Sequence, residues 1–117
     1  MKNDYLYIDH IIESINKIES YTKNLTKREF SKNDLVQDAV IRNFEIIGEA
    51  SKKVSRDLKQ TFHKISWKDI SGMRDKLIHD YLGVDVEVIW TTIKKDLPVL
   101  KNQILEIKIN LSYGQTK

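Results

Sequence analysis

Apolar residues recur three and four positions apart along most of this chain. The first such stretch runs from Asp4 to Asn24 and is dominated by isoleucine. The second begins near Asn33 or Asp34 and continues to about Lys59, with Gly48 off its apolar face. Because this spacing places side chains on one face of a helix, both stretches predict amphipathic helices. Gly48 is either a point of close approach for another helix or a tolerated mid-helix glycine.

Two further helices are predicted in the second half of the chain. The third begins at Ser66, which can cap it together with Asp69, and ends near Gly83 as a left-handed stop. The fourth begins around Asp85 and carries apolar residues along one side. It contains Pro98, which removes one backbone hydrogen bond, so we expect a kink there or a break just before it.

Composition supports one small helical domain. The chain has 117 residues, with one proline, four glycines and 32% charged residues. That length is enough for one modest core and too short for two independent cores. The sequence therefore predicts an all-α fold, an antiparallel up-and-down bundle of four main helices, kinked near Pro98, in a single domain over residues 1–117.

Several classes of protein are excluded by what the sequence lacks. There is no cysteine, which excludes disulfides and thiolate metal sites. No apolar run approaches the roughly 18 residues of a membrane span, and the first residues do not resemble a signal peptide. We therefore expect a cytoplasmic protein with no membrane partner.

Positive charge is concentrated in one part of the chain. The net charge is +3 overall, but residues 51–76 hold eight basic and three acidic side chains, a local net charge of +5. Clustered positive charge attracts phosphate groups. A lysine-rich composition alone would produce the same cluster. The sequence therefore leaves open whether the cluster binds phosphate groups or only reflects the composition.

The stretch GMRDKLIHDYLG, residues 72–83, places polar residues in an otherwise apolar helical pattern. On an ideal helix Arg74 and Tyr81 share the apolar face, while Asp75 and His79 stack on the polar face. Arg74 and His79 then diverge by about 140°. A buried guanidinium needs a carboxylate, a cleft or a bound anion. Arg74 is thus a core ion-pair residue or a site residue. The length of arginine, an unwinding of the last turn toward Gly83 or a second copy of the chain would bring it close to His79, and the second copy is the favoured interpretation.

One amide lies in the middle of the second helix's apolar face. Asn43 is interpreted as a satisfied interior amide that fixes helix register, or as a side chain that faces a cleft near Arg74. Two other histidines, His10 and His63, belong to no cluster of candidate residues.

These residues resemble the HEPN superfamily, and most closely the HepT-like toxins of HepT and MntA pairs. The signature of that group is R-x4-H-x-Y, present here as Arg74, His79 and Tyr81. Further similarity lies in residues 37–54 and 89–104. The resemblance covers nearly the whole chain, and this sequence matches the family at every position of the motif.

The resemblance implies a homodimeric ribonuclease that needs neither metal nor cofactor. In this interpretation Arg74 steadies the RNA phosphate and His79 transfers protons, while Asp75 and Asn43 support them. It further implies a partner, an MntA-like nucleotidyltransferase antitoxin, which attaches AMP to Tyr81 and silences the toxin.

Two other functions stay open on the sequence alone. The first is a non-catalytic helical adaptor or substrate-binding subunit of a nucleotidyltransferase. The second is a small basic bundle that binds nucleic acid without cutting it.

Overall fold

The computed structural model describes the backbone of residues 2–73, 78–80 and 83–116, and the side chains of residues 3–73 and 85–112. The described chain is an all-α fold with one short hairpin, which confirms the predicted fold class. Its elements are α1 (Lys2–Thr22), α2 (Lys27–Ser31), α3 (Asp34–Lys53), α4 (Arg56–Thr61), α5 (Trp67–Ser71), β1 (Ile78–Asp80), β2 (Gly83–Val84), α6 (Val86–Thr91), a π-helical turn (Thr92–Asp96) and α7 (Leu97–Thr116).

Helix α1 lies at the centre of the bundle and contributes four isoleucines that are at most 1% exposed. They share one apolar core with side chains of α3 and α7. These core residues are Ile8, Ile11, Ile15 and Ile18 of α1, Val40, Phe44 and Ile47 of α3, and Ile104 and Ile107 of α7. Full burial of one such side chain stabilises the fold by roughly 1.5–3 kcal/mol, so this layer dominates the stability of the domain.

Two ion pairs on the surface show the direction of α7 relative to α1. Lys101 Nζ lies 2.7 Å from a carboxylate oxygen of Glu19. Lys108 Nζ lies 2.8 Å from a carboxylate oxygen of Asp9. Residue numbers rise along one helix as they fall along the other, so the two helices are antiparallel.

The predicted second helix is divided in two, and its extension to Lys59 is wrong. Helix α3 ends at Lys53, and Ser55 caps the separate helix α4. The carboxylate of Asp4, which is 3% exposed, accepts the backbone N–H of Ser55 at 2.7 Å and its hydroxyl at 2.6 Å. Because the N–H of Ser55 donates to the carboxylate of Asp4, it does not form the backbone hydrogen bond that would continue α3.

The third predicted helix begins where expected but does not continue to Gly83. Ser66 occupies the N-cap position without a side-chain cap bond, and α5 already ends at Ser71. Further on, β1 pairs antiparallel with β2. Gly83 therefore lies in a strand, and no glycine among the described residues has a positive φ. The β-branched residues Ile78 and Val84 favour this pairing over a helix.

Three long helical segments lie within the described residues. These are α1, α3 and the run from α6 through α7. Residues 74–77 of the third predicted helix lie outside the described residues, so the exact arrangement of four helices stays a prediction. The start of the run from α6 through α7 is confirmed, because Asp85 caps α6 by accepting the N–H of Val88 at 3.2 Å. The expected break before Pro98 is also confirmed: the wider π-helical turn directly precedes α7 and interrupts regular α-helical bonding.

Gly48 provides a close approach between α3 and α5. It is buried, and a Cβ at this position would lie 3.5 Å from the carbonyl oxygens of both Ile70 and Ser71. That is ordinary van der Waals contact, so the backbone of α5 lies directly against this point of α3. A Cβ would fit in this contact, so both interpretations of Gly48 stay open.

Candidate active site

Helix α5, which leads into the motif, is fixed to α3 by a small polar contact. The Oγ of the fully buried Ser51 lies 3.2 Å from the Oγ of Ser71. The indole Nε1 of the buried Trp67 donates to a backbone carbonyl at 3.1 Å. Since α5 is held at both of its ends, the structure fixes the point from which the chain enters the segment that begins with Arg74.

Most of the predicted site residues lie outside the described residues. This is the case for Arg74, Asp75 and Tyr81. The backbone of His79 lies in β1, between Ile78, which pairs with Val84, and Asp80, which pairs with Gly83. Asp75 lies outside the described residues, so a hydrogen bond between its carboxylate and His79 stays a prediction.

Asn43 is buried as expected, but its amide is only half satisfied. The side chain is 5% exposed, and its Nδ2 donates to the carbonyl oxygen of Ala39 at 2.9 Å. Its Oδ1 is buried and has no hydrogen-bond partner within the part of the chain that the structure describes. A buried acceptor without a donor costs roughly 1–3 kcal/mol. Arg74 lies outside the described residues, so both interpretations of Asn43, a satisfied interior amide and a side chain that faces a cleft near Arg74, stay predictions.

A cavity of about 700 Å³ lies beside α5 and extends to Met73, the residue before Arg74. Apolar side chains from α3, α5 and α7 line part of it, among them Phe44 and Leu100. Charged side chains that line it include Lys68, Asp69 and Asp96. The sequence analysis missed this cavity because its walls come from segments that are far apart in the sequence and carry no local signal of their meeting.

The described ranges contain neither a cluster of metal ligands nor a membrane-spanning helix. Within residues 3–73 and 85–112, no group of three or more histidine, aspartate or glutamate side chains is placed to hold a metal ion. None of the helices in the described chain combines the length and the apolar character that a membrane span requires.

Two groups with shifted pKa values belong to other parts of the bundle. The backbone N–H of Thr26 donates to the carboxylate of Glu29 and lowers its pKa. This bond completes the capping box of α2. A hydrogen bond from Lys108 on α7 to Asp9 on α1 raises the pKa of Lys108. Neither group lies on α5.

The fold and the cavity beside α5 define a small helical-bundle domain with a candidate site at the end of α5. Residues 11–107 match the profile of the family described as Ribonuclease HepT-like, and the chain belongs to this family. The family is one of ribonucleases, so the chain is an enzyme of the ribonuclease class.

Related proteins carry corresponding names. A probable ribonuclease HepT of Thermococcus cleftensis is 44% identical over 87% of this chain and 93% of its own length. A protein of Caldanaerobacter subterraneus subsp. tengcongensis, named as an RNase by inference, is 39% identical over 92% of this chain and 96% of its own length.

A longer relative from Methanocaldococcus jannaschii is named as a gamma-glutamylcyclotransferase and inferred RNase. It is 46% identical over 91% of this chain, which spans only about half, 48%, of that protein. No solved structure gives a significant match to the chain.

Proposed function

We propose that this chain is a metal-independent endoribonuclease toxin of a type VII toxin–antitoxin system. The observation that carries the proposal is the family match over residues 11–107, which spans an intact R-x4-H-x-Y motif. A toxin of this kind acts on cellular RNA, so the proposed location is the cytoplasm.

The proposed reaction is an attack of the RNA on its own backbone. The 2′-oxygen of a ribose forms a bond to the neighbouring phosphorus, and the bond from phosphorus to the 5′-oxygen breaks. His79 is the proposed proton carrier, since an imidazole ordinarily titrates near neutrality; it accepts the 2′-hydroxyl proton and supplies one to the leaving oxygen. Arg74 is proposed to donate to the phosphoryl oxygens as their charge develops. The product carries a 2′,3′-cyclic phosphate.

Two copies of the chain are proposed to form one cleft around these residues. Val99, which is 57% exposed, lines the cavity that extends to Met73 and offers apolar surface to a second copy.

Asn43 and Asp75 are proposed to support the two reacting side chains. The Oδ1 of Asn43 has no donor among the described residues, and it is an acceptor for a guanidinium N–H. We assign that donor to Arg74. Asp75 is proposed to hold the imidazole of His79 by a hydrogen bond.

The His79→Ala and Arg74→Ala variants should each lose RNA cleavage by roughly 100-fold or more. Purified protein is incubated with total RNA in EDTA, and the product ends are analysed for cyclic phosphate. Matched controls are His10→Ala and Arg28→Ala, which remove the same side-chain types from exposed positions on α1 and α2. Both controls should retain wild-type activity.

Two results would contradict this mechanism. One is a loss of wild-type activity in EDTA. The other is full cleavage by both Arg74→Ala and His79→Ala, in protein whose circular dichroism matches the wild type. If Arg74→Ala also leaves cell toxicity and binding to the nucleotidyltransferase unchanged, the helical adaptor becomes the better description.

Modification of Tyr81 is the proposed route of neutralisation. The tyrosine oxygen forms a bond to the α-phosphorus of ATP on the partner nucleotidyltransferase, and pyrophosphate leaves. The attached AMP adds bulk and negative charge two residues after His79. This charge competes with RNA phosphate for Arg74.

Co-expression with the nucleotidyltransferase encoded beside the gene should add the mass of AMP to the chain. The Tyr81→Phe variant should lack the added mass. The control Tyr21→Phe, which changes a tyrosine that is 40% exposed on α1, should keep it. An adduct that persists in Tyr81→Phe, or no adduct on the wild type, would contradict this assignment.

A further inference from the structure

A second groove, of about 490 Å³, lies between α4 and α5. Three cationic side chains line it, Arg56 and Lys59 from α4 and Lys68 from α5, and His63 lies between them in sequence. The ring of Trp67 forms one wall and lies 6.0 Å from the Nζ of Lys59. We call this feature the basic groove.

The positive charge of the basic groove is not balanced locally. Residues 51–73 hold six basic and two acidic side chains, a net charge of +4. Within the described part of the chain, Lys52 pairs with Glu49 at 3.4 Å, whereas no carboxylate forms an ion pair with a cation of the basic groove. Like charges held together repel one another, so an external anion would stabilise this arrangement.

The basic groove is connected to the candidate active site. Ser66, Lys68 and Asp69 line both the basic groove and the cavity that extends to Met73. A chain-like anion that lies in one of these spaces is therefore directed toward the other. A small anion would occupy only one of them.

We infer that the basic groove binds phosphate groups of the RNA strand on one side of the cleavage point. This inference rests on the proposed ribonuclease function and adds a substrate-binding surface outside the motif. The buried Trp67 is 8% exposed and its indole N–H is already bonded, so it offers no free face for a base. Recognition here is thus through the backbone charge of RNA and is independent of base sequence.

The test measures binding separately from cleavage. The double variant Arg56→Gln, Lys68→Gln is made in the inactive His79→Ala background, and both positions are exposed. Binding of a fluorescent single-stranded RNA is then measured at several salt concentrations. Loss of two phosphate contacts should lower the affinity roughly ten-fold or more near 0.1 M salt, and should reduce the salt slope by about 1.4.

Two matched variants control for net charge and for folding. Lys23→Gln, Lys32→Gln removes the same charge from exposed positions on either side of α2, and it should bind RNA as the parent protein does. The opposite end of α1 contacts Ser55, and α1 is about 30 Å long, so Lys23 lies far from the basic groove. The charge-preserving variant Arg56→Lys, Lys68→Arg should keep both the affinity and the slope.

The outcomes separate this inference from the proposed function. Equal RNA binding by the basic-groove variant and the Lys23, Lys32 control overturns the inference, even if the wild type cleaves RNA. Binding of polyglutamate in place of RNA, lost in the basic-groove variant, also overturns it and assigns the surface to an acidic protein. A selective loss of RNA affinity supports the basic groove even if the wild type cuts no RNA, in which case only the nuclease proposal fails.

Discussion

Packing of the α1 isoleucines against α3 is the constraint on which the rest of the structure depends. Ile11 and Ile15 are fully buried, and they belong to the same apolar core as Phe44 and Ile47 of α3. The carboxylate of Asp4, at the start of α1, then binds Ser55 and separates α3 from α4. A helix boundary more than fifty residues away in sequence is thereby fixed from α1.

The candidate site depends on this core through α5. The fixed surface of α3 presents Gly48 and Ser51 to α5, and these contacts determine where the chain enters the motif. The cavity that extends to Met73 and the basic groove both lie against α5 and share lining residues. The same short helix leads into the segment that carries the proposed chemistry.

Sequence reasoning succeeded wherever the signal was local. Isoleucine spacing predicted α1, the cap at Asp85 predicted the start of α6, and Pro98 predicted the interruption before α7. It failed where distant residues decide the outcome. No residue near Ser55 in the sequence indicates that Asp4 will bind it. The pairing of β1 with β2 prevailed over a helical pattern that looked continuous from Ser66 to Gly83. The motif residues stood out as polar positions in an apolar pattern, but their catalytic roles came only from the family resemblance, because their spacing alone is a weak signal.

A cleft shared by two copies of the chain is tested most directly by mixing two inactive variants. Arg74→Ala and His79→Ala proteins are unfolded together and refolded, and RNA cleavage is measured in EDTA. Mixed dimers should regain cleavage that neither variant has alone, because one cleft then receives Arg74 from one copy and His79 from the other. A mixture that stays as inactive as its components, while wild-type protein treated in the same way is active, would contradict a shared cleft.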